Sequence, residues 1–91
     1  MMEDLVPLDG NAAAGSLAAL FAPEPTTIIV TCAGCGREGA LATLELYGGP
    51  VGLVLRCPAC DTANVRFADT GTRVTVDLRG SSRLTVHQGP E

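Results

Sequence analysis

The spacing of apolar positions changes character near Thr26. Before it, Ala12-Ala13-Ala14-Gly15-Ser16-Leu17-Ala18-Ala19-Leu20-Phe21 sets Ala13, Leu17, Leu20 and Phe21 on one face at helical spacing. Alanine and leucine favour helix, Asp9, Gly10 and Asn11 supply capping groups, and Pro23 with Pro25 stops the run. A helix of about three turns is predicted, too short to stand alone in water. Its apolar face is expected to pack on the rest of the domain, the alternative being a partner's groove.

From Thr26 onward the pattern predicts strands. Thr26-Thr27-Ile28-Ile29-Val30-Thr31 is β-branched and runs into Cys32. Leu41 to Tyr47 follows, then a turn at Gly48-Gly49-Pro50, and Val51 to Arg56 runs into Cys57. Ala63 to Phe67 alternates. The clearest alternation sets Val74, Val76 and Leu78 against Arg73, Thr75, Asp77 and Arg79. Gly80-Ser81-Ser82 then turns into Leu84-Thr85-Val86. These elements divide the chain into a leader with a short helix (1–25), a β domain (26–87) and a flexible tail (88–91).

Composition shows why such a domain needs help. The 91 residues allow one domain, with 46% hydrophobic residues but only 3% aromatic ones: Phe21, Tyr47 and Phe67. A core of Val, Leu, Ile and Ala in so short a chain is marginal without a cross-link. The four cysteines are the candidates for one.

Charge narrows the partners. Six arginines, no lysine and ten carboxylates give net −4, which disfavours direct binding to nucleic acid or anionic lipid. Arg56, Arg66, Arg73 and Arg79 fall on the polar sides of their strands. Cross-strand pairing with Glu45, Asp69 and Asp77 is expected there ahead of an RNA-contacting stripe. No segment has the length of a membrane span. The apolar stretch from Ala12 to Ala22 follows Glu3, Asp4 and Asp9 with no basic residue, the wrong charge for a signal peptide. A cytoplasmic protein is expected, with its cysteines reduced.

The chemistry lies in Cys32-Ala33-Gly34-Cys35-Gly36 and Cys57-Pro58-Ala59-Cys60-Asp61, with 21 residues between Cys35 and Cys57. Two residues between ligands let a tight turn aim both sulfurs at one ion, while backbone amides disperse their charge. The residue after each pair needs positive φ, which Gly36 supplies and Asp61 tolerates. Each pair follows a strand. The pattern predicts one structural zinc ion held by Cys32, Cys35, Cys57 and Cys60. Two other chemistries use the same thiols: iron, as in rubredoxin-like electron transfer, and a dithiol redox switch. The aromatic residues usual around a rubredoxin site are lacking, and a redox pair normally opens a helix rather than following a strand. His87, remote from both pairs, is expected on the surface. No catalytic set or phosphate loop is present, and four thiolates would close a zinc site to substrate, so no enzyme is expected.

Leu8-Asp9-Gly10-Asn11 with Ala14-Gly15, the Cys32–Gly36 segment, Leu55-Arg56-Cys57-Pro58-Ala59-Cys60 and Val76-Asp77-Leu78-Arg79-Gly80 together carry a family resemblance. Over residues 8 to 86 the chain resembles small uncharacterised actinobacterial zinc-ribbon proteins known as a domain of unknown function. That resemblance implies a four-cysteine metal site at the same positions and supplies no activity. The expectation is a mainly β, antiparallel zinc ribbon with rubredoxin-like knuckles and one short N-terminal helix. It would act as a non-enzymatic interaction or accessory module whose partner is another protein. The alternatives are a rubredoxin-like electron carrier or thiol redox sensor, and a nucleic-acid-associated ribbon in a transcription or translation assembly.

Overall fold

Asp9 opens the structure as a helix cap. Its carboxylate accepts from the Asn11 amide at 3.0 Å, a 3₁₀ turn covers Gly10–Ala13, and α1 (Ala14–Phe21) follows. The computed structural model describes residues 9–21, 24–49 and 51–87. The expected leader over Met1 to Pro7, the Gln88–Glu91 tail and the turn residue Pro50 lie outside the described residues. No helix among the described residues is long and apolar enough to cross a membrane.

Seven strands follow: β1 (Ile29–Cys32), β2 (Glu38–Ala40), β3 (Glu45–Gly48), β4 (Gly52–Arg56), β5 (Ala63–Asp69), β6 (Val74–Asp77) and β7 (Ser81–Thr85). The protein is mainly β. The first strand starts later than its β-branched composition predicts. Pro25–Thr27 is a 3₁₀ turn, because proline fixes φ for a turn and the Thr27 hydroxyl donates to the Glu24 carbonyl at 2.8 Å. Leu41–Thr43 forms another such turn, so β3 begins at Glu45 and not at Leu41. Strand β2 is unpredicted by propensity, since Glu, Gly and Ala are poor strand formers. It exists because the first cysteine turn returns the chain alongside β1, in the register Ile29–Ala40, Val30–Gly39 and Thr31–Glu38.

All pairings are antiparallel and make two sheets, ordered β2-β1-β7 and β3-β4-β5-β6. Each cysteine pair is the tip of a hairpin, β1–β2 in the first sheet and β4–β5 in the second. The sheets are tied together at Gly80, where the chain turns from β6 to β7. Its carbonyl accepts from the Ala33 amide at 2.9 Å and from Asn64 Nδ2 at 2.8 Å, and the Ser81 hydroxyl donates to the Asn64 carbonyl at 2.8 Å. A Cβ on residue 80 would stand 1.8 Å from the Ala63 carbonyl oxygen, so only glycine fits this approach.

The core is thin, as the scarcity of aromatic residues implies. Buried apolar side chains among the described residues are Val30, Cys32, Leu44, Cys57 and Val65, with Asn64 wholly enclosed beside them. The apolar row Val74, Val76 and Leu78 is present as predicted but remains exposed. Among the described residues, α1 contacts the 3₁₀ turn that precedes it. The expected docking of its apolar face turns on Leu20 and Phe21, whose side chains lie outside the described ones.

Candidate metal centre

The two cysteine turns are built from the same hydrogen bonds at the same offsets. In the first, the Cys32 amide donates to the Arg37 carbonyl at 2.9 Å and the Gly36 amide to the Cys32 carbonyl at 2.9 Å. In the second, Cys57 donates to Thr62 at 2.9 Å and Asp61 to Cys57 at 2.8 Å. Gly36 and Asp61 take positive φ, 79° and 70°, as their positions after each pair predicted. The sulfur of the leading cysteine accepts an amide two residues on: Gly34 to Cys32 at 3.3 Å, and Ala59 to Cys57 at 3.4 Å. Such bonds disperse thiolate charge.

The turns meet face to face. Cys32 Sγ lies 3.6 Å from Cys60 Sγ and Cys35 Sγ lies 3.7 Å from Cys57 Sγ, with all four sulfurs within 4.8 Å of one another. These separations are too long for disulfides, whose sulfurs stand about 2.05 Å apart. A tetrahedral ion with metal–sulfur bonds of about 2.3 Å requires sulfur–sulfur edges of about 3.8 Å. The four residues fit such an ion. Cys32 and Cys57 are buried, whereas Cys35 and Cys60 are exposed.

The electrostatics of the clustered thiols differ from one position to the next. Burial pushes the Cys32 thiol up. The Asn64 side chain, the amides of Cys35 and Gly34, and Cys60 outweigh it, bringing the thiol down to about 6. The Arg37 amide lowers Cys35, but hydrogen bonding with Cys60, burial, and bonds to Cys57 and Cys32 carry that thiol up to about 11. Cys57 is lowered: burial opposes this, while the Cys60 and Ala59 amides and Cys35 prevail. Four sulfurs this close cannot all be thiolates until a positive ion offsets their repulsion.

A model of a family of unknown function, DUF6510, matches residues 2–89. The chain belongs to this family. Neither the curated proteins nor the solved structures yield a match. Family membership brings no activity, and the chemistry of this DUF6510 chain rests on its own residues.

All four predicted ligands converge. Of the other residues singled out by sequence, His87 is exposed. Of the four arginines, Arg56 and Arg79 have side-chain partners. Arg56 donates to the Asp61 carbonyl at 2.9 Å, lies over the Tyr47 ring at 5.9 Å, and sits opposite Glu45 in the β3–β4 register. Arg66 faces Asp77 across β5–β6, and Arg79 pairs with Asp77 on its own chain. Asp69 departs from the expected pairing and caps the Gly71 amide at 2.9 Å.

Sequence reasoning missed the support around the sulfurs. Thr62 Oγ1 is 3.0 Å from Cys60 Sγ, and a Cβ on Gly34 would stand 2.2 Å from that hydroxyl, so one turn nests against the other. Asn64 is fully enclosed behind Cys32. Its signal was a polar side chain beside the apolar Val65 at the start of a strand, immediately after a cysteine turn. Its Oδ1 and Thr31 Oγ1 are buried without a partner.

Proposed function

We propose that this DUF6510 protein is a small non-enzymatic module, held together by one structural zinc ion at Cys32, Cys35, Cys57 and Cys60, that works by contacting another protein. The carrying observation is the convergence of four sulfurs from two hairpins at tetrahedral spacing, in a chain with few buried apolar residues. Four protein thiolates leave no coordination position for substrate, which supports a structural over a catalytic ion. Zinc is favoured over iron by the lack of aromatic cover: Tyr47 is half exposed and engaged with Arg56 on β4. The all-arginine, net-acidic composition is in keeping with the actinobacterial source implied by the resemblance, and it disfavours a nucleic-acid partner. Free, closely spaced thiols suit a reducing compartment such as the cytoplasm.

Metal analysis of protein purified without added metal tests this reading. One zinc per chain in a colourless protein is the expected result. A red protein with one iron would make it an electron carrier, and no metal at all would remove the basis of the proposal. Exposure of Cys35 and Cys60 gives a redox-sensor reading one specific support. Reversible zinc release under mild peroxide would favour it.

A further inference from the structure

Asn64 is a polar side chain in a place that suits an apolar one. It stands at the second position of β5, next to Val65, and no part of it reaches solvent. Its Nδ2 donates to the Gly80 carbonyl at 2.8 Å, which fixes how the amide is turned and faces Oδ1 away from that acceptor. Oδ1 is then buried with no partner. An enclosed amide satisfied on one side only lowers stability, and a leucine of similar size would avoid the loss. What leucine lacks is the pair of hydrogens on Nδ2.

Both hydrogens face the metal centre. Gly80 takes one of them. On the sulfur side, burial raises the Cys32 thiol, and the Asn64 side chain is the foremost group that lowers it by hydrogen bonding. The Gly80 carbonyl matters as much as the donor. It also receives the Ala33 amide at 2.9 Å, from the turn that carries Cys32 and Cys35. Asn64 belongs to the other hairpin, just beyond Cys57 and Cys60. One oxygen is therefore held from both cysteine hairpins at once.

The chain around that oxygen is fixed as well. Ser81 lies opposite Cys32 in the β1–β7 register, and its hydroxyl donates to the Asn64 carbonyl at 2.8 Å. A Cβ on residue 80 would stand 3.0 Å from Asn64 Cα, so the approach is close. The separation of the two cysteine turns is thus set in part by contacts that contain no sulfur.

We infer that Asn64 is a positioning residue of the metal centre: through the Gly80 carbonyl it holds the Cys32 turn against the Cys57–Cys60 turn at the spacing an ion requires. The inference rests on the metal-site part of the reading above, but not on its partner or on zinc over iron. Both turns are ordered before any ion is taken up, so less freedom is lost on binding and the ion is held more tightly.

Titration of the full chain with cobalt(II) as the only metal tests this. Asn64→Leu keeps the volume, removes the unpartnered Oδ1 and leaves the Gly80 carbonyl its Ala33 donor. A packing role alone therefore predicts a neutral or more stable variant. Positioning predicts that cobalt affinity, read by chelator competition, falls about 10- to 100-fold. The thiolate-to-cobalt charge-transfer intensity should stay that of four sulfurs, while the d–d bands shift as the tetrahedron distorts. Asn64→Val, smaller and favoured in strands, carries the same expectations if leucine proves too bulky to fold. Unchanged affinity overturns the inference. So does weaker binding with unmoved d–d bands, which would make Asn64 a packing residue. Failure of both variants to fold with cobalt present overturns it too, because the residue would then serve the fold itself. An unmutated chain that takes up no cobalt would instead sink the metal reading beneath it.

Discussion

The cysteine end and the groove end of the β domain are stabilised in opposite ways. Around the sulfurs the amides of both cysteine turns are hydrogen-bonded, Cys32, Cys57 and Asn64 are enclosed, and Gly80 allows a backbone approach closer than any side chain permits. At the other end, apolar side chains from both sheets face each other across open space. The first region closes on its own hydrogen bonds and clustered sulfurs, whereas the second leaves apolar surface open. The two regions can be perturbed separately.

The largest expected effect comes from breaking the cysteine end. A structural zinc ion contributes on the order of 10 kcal/mol or more in small domains, comparable with what the few buried apolar side chains among the described residues supply. Strong chelation at neutral pH should abolish the cooperative thermal transition followed by circular dichroism, and Cys57→Ser should behave alike. A chelated chain that still melts cooperatively would show the sheets stand without the ion. Next is Gly80→Ala, where the new Cβ would meet the Ala63 carbonyl at 1.8 Å. A loss of about 3 kcal/mol is expected, since backbone on both sides must shift. Gly49→Ala, with nothing within 4 Å, should cost less than about 1 kcal/mol in the same denaturation series. An equal cost at both positions would mean that the inter-sheet clasp is not rigid.

The smallest effect separates surface charge from both regions. Arg79 holds the Asp77 carboxyl at about 2, below its ordinary value of 3.8. A depressed carboxyl contributes stability above its unfolded value, and that contribution is lost as pH falls from about 4 toward 2. Between pH 7 and 5 Asp77 stays ionised whether folded or not, so acid unfolding in that window does not report on this pair. Asp77→Asn should leave the acid midpoint unchanged within about 0.3 pH unit, measured by ellipticity. A larger displacement would implicate the surface pair in holding the sheets.

The site was more legible in the sequence than the fold around it. Spacing within Cys32–Cys35 and Cys57–Cys60 is a local constraint, and local constraints are written in adjacent residues. Gly36 and Asp61 even announced their positive φ. By contrast, Glu38-Gly39-Ala40 is a strand only because a turn delivers it to β1, and no property of three weak strand formers reveals that. Thr26 and Thr27 look like strand yet form a turn, because Pro25 sets the backbone before β-branching acts. Asn64 is a polar residue whose value depends on Gly80, sixteen positions away. The apolar spacing along α1 does not say on which surface the helix rests.

Each hairpin offers one buried cysteine and one exposed cysteine. An oxidant or competing chelator arriving from solvent therefore meets Cys35 and Cys60 first, one from either hairpin. Were the proposed ion bound, its ligands Cys35 and Cys60 would be the more open to attack, with Cys32 and Cys57 sheltered behind them.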